Sequence, residues 1–182
     1  TKFNNNEIDL TNKDVVVIGA GNVAMDAARS ANRSNANKTT IVYRRTLSES
    51  TASKLEILGA KEDNVIFKFL SSPNKFNGSK DVESLTIEVM NLVEKQGERP
   101  YPVGTGEFED IKCDYVILAI GQKLPLELKN DDSLEFDEWN NLLSRNINDK
   151  VFFGGDMING PSSVAKAIND SNDVLNKILE KK

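Results

Sequence analysis

Residues 15 to 33, VVVIGAGNVAMDAARSANR, constrain the fold more than any other stretch of this chain. Val15 to Ile18 is continuously apolar, without the alternation of a half-buried strand, and so predicts a strand covered on both faces of a parallel sheet. Gly19-Ala20-Gly21 interrupts the run. From Asn22 onward, Val23, Ala24, Ala27, Ala28 and Ala31 recur at helical spacing, and their small side chains let a helix lie close to a strand. Gly19, Gly21 and Ala24 thus form G-x-G-x-x-A between strand and helix. In this pattern the first glycine makes the tight turn, the second admits a pyrophosphate against the backbone, and the third small residue permits helix–strand packing. The free N–H groups at the helix start then face an anion. The same letters would suit a plain turn in an α/β protein, but the strand-turn-helix setting favours a dinucleotide.

Neighbouring residues narrow the choice. A P-loop needs lysine and a hydroxyl residue after its last glycine, whereas Gly21 is followed by Asn-Val-Ala. A Tyr-x-x-x-Lys dehydrogenase pair is absent, because Tyr43, Tyr101 and Tyr115 are followed four residues later by Leu47, Thr105 and Ala119. A second strand, TTIVYRR, runs from 39 to about 44. At its end an NAD site usually places an acid, about 20 residues after the glycines, whereas an NADP site offers arginine to the 2′-phosphate. Here stand Arg44 and Arg45, with no acid until Glu49, so NADP(H) is favoured over NAD(H).

The alternation continues with a helix at 50 to 63, capped by Ser50 or Thr51 and turning Leu55, Leu58 and Gly59 inward, then a strand at 64 to 70. This β-α-β-α-β order predicts a doubly wound parallel sheet. An alternating strand at 84 to 93, a turn-rich stretch around Gly97, Pro100, Pro102, Gly104 and Gly106, and a buried strand from Tyr115 to Ile120 read as an antiparallel meander packed on one side of it. A polar segment, 122 to 149, behaves as a loop or linker. After VFFGGD, the residues Val164, Ala167, Ile168, Val174, Leu175, Ile178 and Leu179 form a helical stripe.

Composition excludes several chemistries. The 182 residues hold 28 acidic and 23 basic side chains, no histidine and one cysteine. A net charge of −5 argues against nucleic acid or an anionic membrane as partner. No apolar run reaches the roughly 20 residues of a membrane span, and the start lacks the apolar core of a signal peptide, so a cytoplasmic location is expected. Without histidine, and with Cys113 alone, the chain offers no internal disulfide, no CxxC pair and no cysteine-rich metal site. No catalytic side chain and no metal ligand is assigned; a cofactor or another polypeptide must bring the chemistry.

VVVIGAGNVAMDAAR, VYRR, CDYVILAIGQKLP and VFFGGDMINGPSSVAKAI, in this order and over nearly the whole chain, resemble the small subunit of glutamate synthase and related NADPH-dependent flavin oxidoreductases with two dinucleotide-binding domains. The resemblance implies a Rossmann-like NADP(H) domain at 13–122, a linker at 1–12, and at 123–182 the C-terminal strand-helix segment of a second, FAD-binding domain. It also implies that hydride passes from NADPH to FAD and on to another centre. Residue by residue, it assigns the NADPH pyrophosphate to Gly19, Gly21, Asn22 and Ala24, with Val23 in the same turn, and the 2′-phosphate to Arg44 and Arg45. Residues 119 to 125, with Ala119 and Gly121 touching cofactor, would return the chain to the flavin domain. Gly155 and Asp156 would meet a ribityl or pyrophosphate oxygen of FAD, and the helix opening at Ser163 and Val164 would face the flavin pyrimidine edge.

Two departures accompany the resemblance. Ser50-Thr51-Ala52 stand where such proteins usually carry Met-Pro-Ala. There is also only one glycine-rich strand-turn-helix, and the cysteines of an iron–sulfur portion are absent. The chain is therefore expected to be the C-terminal part of a longer protein, with an N-terminal FAD/iron–sulfur portion or an electron-accepting subunit as partner. The alternative is a non-catalytic NAD(P)-binding module or sensor that associates through its C-terminal helix, as a docking or dimerising element. A doubly wound domain with a degenerate site is the plainest reading.

Overall fold

The computed structural model describes residues 8–94, 97, 99–121, 133–137, 142–144, 146, 150–160 and 162–179. The chain divides into two compact units, Thr1–Ile120 and Gly121–Lys182.

In the first unit, β1 (Asp14–Ile18), β2 (Lys38–Val42), β3 (Ile66–Lys68) and β7 (Tyr115–Leu118) form a four-stranded sheet in the order β3-β2-β1-β7, with every pair parallel. Helices α1 (Asn22–Arg33) and α2 (Lys54–Glu62) connect β1 to β2 and β2 to β3. A separate antiparallel sheet, β4 (Ser71–Asn77), β5 (Ser84–Val93) and β6 (Tyr101–Lys112), has the order β4-β5-β6. The unbroken apolar run of β1 now has its explanation. Val15 and Val17 pack in one cluster with Ala24, Met25, Ala28 and Ala31 of α1. Val16 and Ile18 pack in the other with Leu85 and Ile87 of β5 and with Cys113. Both faces of β1 are therefore dry, one under α1 and one under the antiparallel sheet.

Several expectations need correction. The run 115 to 120 is not part of the meander: β7 joins the parallel sheet beside β1 and ends at Leu118. It is also less buried than expected, since Leu118 and Ile120 are 61% and 70% exposed. The third meander strand is instead β4, which starts where the strand expected at 64 to 70 ends. Leu70, at φ +50°, turns the chain from one sheet to the other without a glycine or proline to announce it. The turn-rich stretch is mostly strand, because β6 runs through Pro102, Gly104 and Gly106. As the outer strand of its sheet β6 tolerates a proline, and the glycines sit where its register with β5 shifts between Glu88 and Met90.

The helix expected from 50 begins later. Its cap is Ser53, whose Oγ accepts from the Glu56 amide at 3.2 Å, rather than Ser50 or Thr51. Gly59 faces inward as expected, but Leu55 and Leu58 are 80% and 54% exposed. The buried residues of α2 are Gly59 and Ala60, with Ile57 half-buried against the same cluster, and Arg29 of α1 lies over Gly59; a Cβ there would be 2.6 Å from the guanidinium carbon. Arg29 donates to Asp63 at 2.9 Å and to Glu56 at 2.7 Å, joining α1 to α2.

In the second unit, Leu134, Leu142 and Phe153 form a small core with Phe136, Met157 and Ile158 beside it. Phe136 bridges Leu142 and Asn146 bridges Phe152. A short helix, α3 (Asp156–Asn159), precedes α4 (Val164–Leu179). The expectations for 122 to 125, the remainder of the crossover, lie outside the described residues, as does most of the segment read as a linker. No helix among the described residues is long and apolar enough to cross a membrane.

Candidate functional site

The sheet order places β1 between β2, reached through α1, and β7, reached only after the whole antiparallel sheet. The neighbours of β1 on its two sides are thus reached through different connections, and the crevice at the carboxyl ends of strands at such a switch is where open α/β sheets bind ligands. Gly19 lies there, at φ +128°, with its amide donating to the Val42 carbonyl oxygen at 3.0 Å. A Cβ on Gly19 would collide with the carbonyl oxygen of Ala119, which follows β7. Glycine is therefore required on two counts, conformation and space. Gly21 is the N-cap of α1; no side chain caps this helix, and its first turn holds no acidic residue. Its first N–H groups are left for an outside acceptor. Ala24 is fully buried against the strand, whereas Val23 is 70% exposed.

The segment before α2 is tied to the glycine turn. Ser50 Oγ donates to the Ala20 carbonyl oxygen at 2.7 Å, and the Ser53 amide donates to Asn22 Oδ1 at 2.8 Å. Thr51 Oγ1 would lie 3.3 Å from a Cβ on Gly21. Ser50 and Thr51 thus line the turn rather than cap a helix.

Arg44 and Arg45 follow β2 on a pinned backbone. Tyr43 donates to the Lys68 carbonyl oxygen at 3.0 Å and accepts from the Ser71 amide at 3.0 Å; the Arg45 carbonyl accepts from the Leu70 amide at 3.1 Å. Arg44 is exposed and forms no ion pair among the described residues. Glu49, the one acid of this segment, is committed to its own turn. Its carboxylate accepts from the Thr46 amide and hydroxyl at 2.9 and 2.6 Å and from Ser48 Oγ at 2.8 Å. These hydrogen bonds, that from the Thr46 side chain foremost, hold its carboxyl below the usual range.

A family model described as pyridine nucleotide-disulphide oxidoreductase matches residues 2–171 of the 182. The chain belongs to this family. The chain is 38% identical over 176 residues to "Putative oxidoreductase YgfK" of Escherichia coli (strain K12), covering 93% of the chain and 17% of that protein. It is 34% identical over 173 residues to "NADP(+)-dependent formate dehydrogenase subunit beta" of Moorella thermoacetica, covering 90% and 24%. With "Glutamate synthase [NADPH] small chain" of Azospirillum brasilense it shares 31% over 186 residues, covering 97% and 38%. It therefore spans well under half of each of these relatives. FprA of Mycobacterium tuberculosis in complex with NADPH has a similar fold, with a TM-score of 0.76 at 20% identity over 98% of this chain and 54% of that one. Thioredoxin reductase of T. acidophilum gives 0.74 at 20% identity over 94% and 53%.

The residues singled out from sequence fall into two groups. Gly19, Gly21, Asn22, Val23, Ala24, Arg44, Arg45 and Ala119 belong to the first unit. Gly121, at φ +90°, opens the second, which also holds Gly155, Asp156, Ser163 and Val164. Gly155 adopts φ +66° and is the N-cap of α3, whose first residue is Asp156. Ser163 Oγ accepts from the Lys166 amide at 3.3 Å, so α4 opens at Ser163-Val164.

Two residues escaped the sequence reading. Asp170 is 5% exposed and accepts a 2.5 Å hydrogen bond from the Gly155 amide, tying α4 to the glycine pair. In sequence it sits among Asn169, Asp173 and Asn172 and looks like part of a solvated helix face. Arg99 donates to the Tyr43 hydroxyl at 3.2 Å and to the Glu49 carbonyl oxygen, which brings a remote turn to the end of β2. Among the described residues no cluster of acidic or cysteine side chains suits a metal ion.

Proposed function

We propose that this chain is the NADPH-binding portion of a flavin-dependent oxidoreductase, in which hydride passes from NADPH to FAD and on to another centre or subunit, in the manner of glutamate synthase small chains. The observation that carries this reading is the pairing of an uncapped α1 at the crevice with Arg44 and Arg45 at the end of β2, where the only acid is already hydrogen-bonded to its own turn. The relatives whose names include NADPH or NADP(+), and which are themselves small or beta subunits, support it. The short coverage of those relatives supports a longer parent or a partner subunit.

NADPH, when bound, supplies the hydride. The residues of the chain bind and orient. Gly19 and Gly21 keep side chains out of the crevice, the α1 amides, including those of Asn22 and Val23, favour the pyrophosphate, and Ala24 holds the helix close. Arg44 and Arg45 offer charge-assisted hydrogen bonds to the 2′-phosphate. In the second unit, Asp156 and the α4 N-terminus at Ser163-Val164 are the groups offered to FAD, and a helix N-terminus stabilises negative charge on a reduced flavin. Hydride transfer between stacked rings requires no side-chain acid or base, in keeping with a chain that has no histidine.

The test is anaerobic flavin bleaching. The 182-residue chain with NADPH and added FAD should give no NADPH-saturable reduction, whereas a protein that also carries the flavin-binding portion should bleach rapidly. Saturable reduction by the chain alone, or no bleaching by the longer protein, contradicts the proposal. A second reading, a non-catalytic module associating through α4, is favoured by the exposure of Val164, Ile168, Leu175 and Leu179, each more than half exposed.

A further inference from the structure

We propose that Arg99 is a third cation of the 2′-phosphate site, and that the β5–β6 turn carrying it helps to select NADP(H) over NAD(H). This rests on the NADP(H) reading above. Arg99 precedes β6 and is remote in sequence from the strand it meets. One guanidinium nitrogen, Nη2, donates to the Tyr43 hydroxyl at 3.2 Å and to the Glu49 carbonyl oxygen. In the opposite direction, Arg45 Nε donates to the carbonyl oxygen of Pro100 at 3.0 Å. Each arginine thus reaches into the other's segment, and the turn is strapped to the end of β2 from both sides. Tyr43, the residue before Arg44, fixes the geometry: its hydroxyl donates to the Glu49 carbonyl oxygen at 2.8 Å while accepting from Arg99.

Charge identifies the occupant. Arg44 and Arg45 follow β2, Arg99 is hydrogen-bonded to Tyr43 just before them, and none of the three is paired with a carboxylate among the described residues. The partners of Arg99 are neutral oxygens. They engage Nη2 alone, so Nε and Nη1 keep donors that no described residue uses. A strap made only for stability has no need of a third positive charge beside two others, because neutral donors would serve the same oxygens without repulsion. A dianionic phosphate removes that repulsion and suits guanidinium geometry.

The experiment is equilibrium titration of the chain with NADP+ and with NAD+, for the unsubstituted protein, Arg99→Ala and Arg99→Lys. Loss of a charge-assisted contact should weaken NADP+ binding roughly tenfold or more in R99A while leaving NAD+ within about twofold, with partial recovery in R99K. An equal loss for both nucleotides would show that Arg99 only holds the turn, and unchanged NADP+ affinity would show that it is not used; either result overturns the proposal. An unsubstituted chain with no preference for NADP+ would overturn the NADP(H) reading itself, which differs from a selective chain whose selectivity survives R99A. If R99A melts well below the unsubstituted protein, Arg99→Gln, which keeps an N–H donor without the charge, carries the same comparison.

Discussion

Gly19 sits with φ at +128° and the Ala119 carbonyl oxygen directly behind it. Gly19→Ala should cost about 1–3 kcal/mol in backbone strain, with steric overlap between the ends of β1 and β7 adding to it. Urea unfolding should show a lowered midpoint, and nucleotide affinity should fall in the same variant. Arg29 and Asp63 predict a pH effect. The hydrogen bond from Arg29 is the main cause holding the Asp63 carboxyl below its ordinary value of 3.8. A depressed folded-state pKa means that the pair's contribution is complete above about pH 4. It is lost as pH falls through the lower folded value, while Arg29 stays charged throughout. Thermal melts should therefore drop more steeply with acid in the unsubstituted chain than in Asp63→Asn. Parallel profiles would contradict this account of the α1–α2 contact.

Helix α4 is amphipathic without a described surface to cover its apolar stripe, and Ile168 and Leu175 are 56% and 51% exposed. One helical face spans the pair. Studied alone, the chain should self-associate, with an apparent mass in size-exclusion chromatography that rises with concentration and falls to that of a monomer when Ile168 and Leu175 are both changed to Glu. A monomer at all concentrations would contradict association through this face. Elements whose burial is decided locally were legible in the sequence: β1 by its unbroken apolar run, α1 by its alanines, β5 by the alternation of its first half. Those decided by distant partners were not. Leu55 and Leu58 look like a helix core until Ala60, Ile57 and an Arg29-covered Gly59 are found to form the packed side of α2. The break between β3 and β4 at Leu70 carries no glycine or proline, and β7 resembles a meander strand until β1 is found beside it.

At the scale of the molecule, one unit stacks a helix layer, a parallel sheet and an antiparallel sheet, and directs the carboxyl ends of β1, β2 and β7 toward a glycine crevice and an arginine pair. The glycine turn and the pair were readable because the motif and its strand ends are local in sequence. Arg99 was not, since only the fold of the antiparallel sheet brings its turn to Tyr43. Asp170 was hidden for the same kind of reason, because its burial depends on the Gly154–Gly155 turn. The measurement that bears most directly on the central claim is a titration of the chain with NADPH and NADH, followed by nicotinamide fluorescence and repeated with Arg44 and Arg45 both changed to Ala. The chain should prefer NADPH by about tenfold or more, equivalent to about 1.4 kcal/mol, and most of that preference should be lost in the double variant. Equal affinity for the two nucleotides, or a preference undiminished by loss of both arginines, would contradict an NADP(H) site at the end of β2.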